Sequence, residues 1–79
     1  MYYVYCLVAT TDSLRRYVGF TENLRQRVAD HNAGCNRSTA GVEWRLKGYT
    51  AFDSKTRALA FERYLKSGSG HAFAARRLW

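Results

Sequence analysis

Tyr2-Tyr3-Val4-Tyr5-Cys6-Leu7-Val8-Ala9, followed across a short polar turn by Arg16-Tyr17-Val18-Gly19-Phe20, is the stretch that decides the fold. The first segment is rich in β-branched and aromatic residues and is apolar on both alternating faces. That pattern predicts a strand covered on both sides. The second segment reads as its hairpin partner, and Asp12 and Ser13 supply turn chemistry between them. The loop length alone does not fix the register.

Outward from the hairpin, Thr21 reads as a helix N-cap with Glu22 in the first turn. The helix runs to about Asn32, and Gly34 stops it. A polar loop, Gly34 to Gly41, leads to a third strand from Trp44 to Phe52, interrupted at Gly48. Ser54 or Asp53 caps a second helix from Lys55 to about Lys66. Ser67-Gly68-Ser69-Gly70 reads as a break, and Ala72 to Leu78 as a short basic helix. The order β-β-α-β-α-α predicts an α+β fold, a small three-stranded antiparallel sheet flanked by helices.

The 79 residues suffice for a single domain over 1–79. Hydrophobic residues at 47% exclude a disordered chain. No apolar run approaches the roughly 20 residues of a membrane span, and no secretory signal is expected. Cys6 and Cys35 make neither a disulfide framework nor a zinc site, which favours a cytoplasmic setting. Thirteen basic against six acidic residues give +7, which favours polyanionic partners.

The residues that break the apolar stripes carry the chemistry. In the first helix the inward stripe is Leu24, Arg27, Val28 and His31. In the second it is Ala58, Phe61, Glu62 and Leu65. Each ionisable member has an ordinary reading. Arg27 can snorkel to solvent, His31 can sit at a helix C-terminus, and Glu62 can pair with Lys66. Three in two stripes point to a site instead. Tyr3 and Tyr5 share one face of the first strand, and Tyr17 and Gly19 one face of the second. Gly19 marks a bulge or the close approach of a ligand. Arg27 and His31 can serve the phenols if the first helix packs on that face.

Tyr3-Val4-Tyr5, Tyr17-Val18-Gly19, Arg27, His31 and Glu62 in this order resemble the GIY-YIG nuclease superfamily, over essentially the whole chain. Tyr17 follows Tyr5 by 12, Arg27 follows by 10 more and His31 by four more. Leu65 to Gly70, Leu-Lys-Ser-Gly-Ser-Gly, is similar to the same run in small bacterial members. Tyr3 stands where the name-giving glycine would be, and valines replace isoleucine at Val4 and Val18. The late asparagine of some members has no clear counterpart, and Lys66 falls in the related stretch.

The resemblance implies metal-dependent hydrolysis of DNA phosphodiester bonds, in repair or recombination, with Tyr5, Tyr17, Arg27, His31 and Glu62 catalytic. Glu62 would hold one Mg²⁺ or Mn²⁺, an ion that takes few carboxylates and fills its shell with water and phosphate oxygens. Arg27 offers a charged planar fork to phosphate. A tyrosine is the implied general base; Tyr17 is taken for it and Tyr5 for positioning, with the roles exchangeable. Gly19, Asn36, Arg37, Ser38, Lys66, Ser67 and Ser69 are expected along the nucleic-acid backbone. Recognition of DNA structure rather than sequence is expected, with a protein partner for targeting and a monomer or weak dimer in solution. The alternatives are a nucleic-acid-binding module with little cleavage activity and a basic subunit that binds protein or ribosomal RNA.

Overall fold

The computed structural model describes residues 1–34, 41–77 and 79. The first segment forms β1 (Tyr2–Ala9) and the second β2 (Arg16–Thr21). They pair antiparallel with Tyr5 opposite Gly19 and Leu7 opposite Tyr17. The register is set in the turn. The Leu14 N–H donates to Asp12 Oδ1 at 3.0 Å, the Arg15 N–H to the Asp12 carbonyl, and the Ala9 N–H to the Arg15 carbonyl. This side-chain mimic of a backbone turn fixes a loop whose length is otherwise permissive.

β3 (Trp44–Phe52) pairs antiparallel with the other side of β1, giving the sheet order β2-β1-β3. Cys6 faces Gly48 and Leu7 faces Leu46, so Lys47 is the extra residue of a bulge. The strand therefore bends beside Gly48 without breaking.

β1 is the central strand, which explains its continuous apolarity. Val4 faces a core closed by Ala58, Leu65 and Ala74, with Phe20, Phe52, Phe61 and Phe73 around it. Tyr5, Leu7 and Ala9 face the other way, into a second core with Trp44, Leu24 and Val28. The first core is covered by α2 (Lys55–Leu65) and α3 (Gly68–Arg77), the second by α1 (Leu24–Asn32). Truncating a fully buried leucine such as Leu65 to alanine costs roughly 2–5 kcal/mol, a large share of the stability of a small domain.

Helix ends correct the sequence reading at two places. Asn23, not Thr21, caps α1: its Oδ1 accepts from the Gln26 N–H at 3.1 Å. Thr21 is still paired with Tyr3 in the sheet, and its hydroxyl accepts from the Asn23 N–H instead. Glu22 accordingly lies before the helix rather than in its first turn. The second place is the Gly-Ser-Gly run, which starts α3 rather than breaking the chain. Ser67 caps it, its Oγ accepting from the Gly70 N–H and its carbonyl from the His71 N–H. A Cβ at Gly70 would lie within bonding distance of the Tyr64 carbonyl, so only glycine lets α3 start this close to α2. The other ends agree with the expectation. Ser54 caps α2, and Gly34 follows α1 at φ +80°.

Candidate active site

The site forms where α1 crosses the hairpin. Tyr5 is fully buried, and its phenol lies across the neighbouring strand over Gly19. A Cβ on Gly19 would fall 2.4 Å from the Tyr5 hydroxyl oxygen. The close approach that Gly19 signalled is therefore made by a tyrosine of the same sheet, and Gly19 itself is buried.

α1 supplies the next two groups from one face, four residues apart. His31 is fully buried, with Nε2 2.7 Å from the Tyr5 hydroxyl. Arg27 is partly buried, and its guanidinium lies close enough to the Tyr5 oxygen to favour the ionised phenol. Burial pushes the Tyr5 phenol above its ordinary pKa, with Arg27 opposing. Burial and the Arg27 charge push His31 down, so the imidazole is neutral at pH 7. A neutral imidazole with its proton on Nδ1 lets Nε2 accept from the phenol O–H, with the Arg27 charge close to the same phenol.

Tyr17 adds an edge-on ring to this cluster, 4.7 Å from the His31 ring and 6.3 Å from that of Tyr5. Glu62 comes from the opposite layer. It is near enough to Tyr5 for its charge to raise the phenol pKa. Its Oε2 also meets Lys66 Nζ at 3.4 Å, with side-chain exposures of 22% for Glu62 and 54% for Lys66. Tyr5, Tyr17, Arg27 and His31, contributed by three elements, are gathered in one region, and the Glu62 charge reaches Tyr5 from a fourth.

Of the residues expected on the backbone-binding surface, Gly19 is buried beneath Tyr5. Asn36, Arg37 and Ser38 lie outside the described residues. Ser67 is engaged as the α3 cap, and its Oγ donates to the Tyr64 carbonyl at 2.6 Å. Lys66 and Ser69 are exposed. One positioning residue gave no sign in the sequence. Asn32 clamps α1 to β3, its Oδ1 accepting from the Trp44 N–H at 2.6 Å and its Nδ2 donating to the Trp44 carbonyl at 3.1 Å. In sequence it is one more polar residue at a helix end.

Residues 1–73 match the GIY-YIG catalytic domain. The chain belongs to the GIY-YIG family. That family is one of nucleases, and its members generally use divalent metal ions. Among curated GIY-YIG relatives, a UPF0213 protein of Natronomonas pharaonis is 39% identical over 70 residues, covering 84% of this chain and 78% of its own. A UPF0213 protein of Lacticaseibacillus paracasei is 36% identical over 72 residues, covering 89% and 79%. One of Clostridium perfringens is 38% identical over 68 residues, covering 84% and 71%. No solved structure gives a significant match to this GIY-YIG chain. Among the described residues, no helix is long and apolar enough to cross a membrane.

No cluster of three or more His, Cys, Asp or Glu with metal-binding geometry occurs among the described residues. Glu62 is a single, partly exposed carboxylate. It fits an ion whose remaining ligands are water and phosphate oxygens, as Mg²⁺ and Mn²⁺ accept. It does not fit a closed structural site.

Proposed function

We propose that this protein is a divalent-metal-dependent endonuclease that hydrolyses phosphodiester bonds in DNA. The observation that carries the reading is the buried Tyr5–His31 pair, with its 2.7 Å phenol–imidazole bond, set within reach of the Arg27 and Glu62 charges.

Tyr5 acts as the proton acceptor. Its raised pKa argues against a standing phenolate, so the proton moves by relay. Tyr5 has no exposed surface in this state, so substrate binding has to open the site enough to admit the attacking water; one water proton then passes to the Tyr5 oxygen and the Tyr5 proton to His31 Nε2. The new P–O bond forms as the bond to the leaving oxygen breaks, and that oxygen takes a proton from solvent. The base role thus goes to Tyr5 in preference to Tyr17, because Tyr5 has the neutral imidazole as its acceptor. Tyr17 orients the water or the phosphate from the edge of the sheet. Arg27 remains cationic and has donors to spare, so it can hold Tyr5 and a phosphoryl oxygen at once. A divalent ion held by Glu62 would supply Lewis-acid charge to the phosphate and the leaving oxygen.

The Glu62–Lys66 ion pair is the one feature that favours a binding module with an idle carboxylate. An exposed pair of this kind, one helical turn apart, is worth only ~0.3–0.5 kcal/mol, so an arriving divalent ion displaces Lys66 easily. The net charge of +7 supports a nucleic-acid partner. The same reading extends to a role in repair or recombination and to preference for DNA structure over sequence.

The test is cleavage of labelled duplex, flap and branched DNA with Mg²⁺ or Mn²⁺, comparing wild type with Glu62→Gln and Tyr5→Phe. Both variants should lose at least ~100-fold in rate while keeping DNA affinity. Unchanged cleavage by Glu62→Gln would remove the metal-site assignment. Equal binding and no cleavage by any of the three proteins would favour the binding module.

A further inference from the structure

Beside the catalytic cluster, on the other side of Tyr17, a cleft of about 450 Å³ opens between the free edge of β2 and the α2–α3 junction. Arg16, Tyr17, Lys66, His71 and Trp79 line it over an apolar floor that includes Leu65. We propose that this cleft receives one unstacked nucleotide next to the scissile phosphate, so that the substrate is DNA with a single-stranded or frayed stretch at the cut. The proposal rests on the nuclease reading and adds the substrate class.

Four observations converge on a nucleotide. The first is size: about 450 Å³ lies at the small-ligand end of binding clefts, room for a single nucleotide and not for a duplex roughly 20 Å across. The second is charge. Arg16, Lys66 and His71 line the cleft and, among the described residues, no Asp or Glu side chain does, as suits a phosphate neighbour. The third is the aromatic content. The Arg16 guanidinium already sits 4.8 Å over the Trp79 ring, with Tyr17 nearby. A flat cation stacked on an indole is a position that a nucleobase can join, because every base presents a π-face. The fourth is continuity. Tyr17 lines the cleft and also packs edge-on against His31, and Lys66 lines it and also pairs with Glu62. A nucleotide seated there has its phosphate directed to the catalytic groups.

A paired base must first be unstacked to enter, whereas an unpaired base enters without that cost. Flaps, gaps and frayed ends are therefore favoured over intact duplex. β2 is an edge strand in the order β2-β1-β3, so backbone polar groups border the cleft without a strand beside them. They offer hydrogen bonds to a base edge without selecting one base.

The experiment uses the Glu62→Gln protein, titrated with hexathymidylate and separately with a blunt 12-base-pair duplex, and follows tryptophan emission. Trp44 is buried, so a change on binding reports Trp79. Saturable quenching by the single strand is expected, at least ~10-fold tighter than by the duplex. Trp79→Phe, which keeps a ring against the core, should lose most of the quenching. The exposed His71→Gln and Lys66→Gln should each weaken binding several-fold without loss of fold. In turnover, His71→Gln should raise KM for a flap substrate and leave kcat near wild type. Equal affinity for single strand and duplex, or quenching by free phosphate alone, would overturn the proposal, as would wild-type cleavage of blunt duplex as fast as of a flap. The last outcome leaves the nuclease reading standing. Tight single-strand quenching with no cleavage of any substrate by wild type would instead uphold the cleft and remove the nuclease reading.

Discussion

Replacing Gly19 by alanine isolates the site's central geometric demand. The new Cβ would stand 2.4 Å from the Tyr5 hydroxyl oxygen and 2.5 Å from the carbon that bears it, where ordinary contact begins at 3.4 Å. The phenol must retreat by about 1 Å. A retreat of that size takes the 2.7 Å bond to His31 out of hydrogen-bond range. Overpacking and one lost buried hydrogen bond together cost ~2–4 kcal/mol. In a domain of this size that lowers Tm by ~10–20 °C. The rate should fall ~100-fold, the usual consequence of a misplacement of this order. Thermal unfolding and single-turnover cleavage at a temperature where the variant is folded provide the two readouts. On a Tyr5→Phe background the same substitution should cost little further rate, because both changes disable one relay. A Gly19→Ala protein with wild-type rate and a Tm within a few degrees of wild type would refute the reasoning.

Asn32→Ala removes both hydrogen bonds that hold α1 to Trp44. It should cost ~1–3 kcal/mol in urea unfolding and slow cleavage, since Arg27 and His31 ride on that helix. Cys6 is buried, and burial pushes its thiol up to about 11. In a Cys35→Ser background, iodoacetamide should therefore modify Cys6 only at the rate of unfolding, and rapid labelling of folded protein would contradict its burial. His31 has a depressed folded pKa, so the folded state binds its proton less readily than the unfolded state does. Stability should hold above about pH 6.5 and decline as pH falls from there toward the folded value. The relay needs a neutral imidazole, so the rate should persist somewhat below pH 6.5 before it falls, and a His31→Gln protein should lose that acid limb.

The architecture was legible because its determinants are local and periodic. The central strand shows itself by apolar residues on both faces, and the helices by stripes that arginine, histidine and glutamate interrupt. Those interruptions also singled out the candidate site, since Arg27, His31 and Glu62 stand where leucines would otherwise serve. What stayed hidden depends on contacts between distant segments. Thr21 and Asn23 are both good caps, and only the pairing of Thr21 with Tyr3 assigns the cap to Asn23. The Gly-Ser-Gly run looks like a breaker until α3 is seen to press on the Tyr64 carbonyl. Gly19 announced a close approach and could not say by what. Which of the two phenols bonds His31 depends on a contact across 26 residues of chain, and spacing does not disclose it.

Tyr5 heads the fully buried side chains among the described residues and is, in the proposed mechanism, also the group that takes the proton of the attacking water. Proteins commonly keep these duties apart, with a dry interior for cohesion and a wet rim for chemistry. Here one ring serves both, so selection for heat resistance and selection for turnover act on the same atoms. Laboratory evolution of this protein should therefore find its freely adjustable positions at sites such as Leu14 and Tyr49, which are 83% and 56% exposed and far less constrained. Along the odd-numbered positions of the central strand, gains in cohesion should trade against speed.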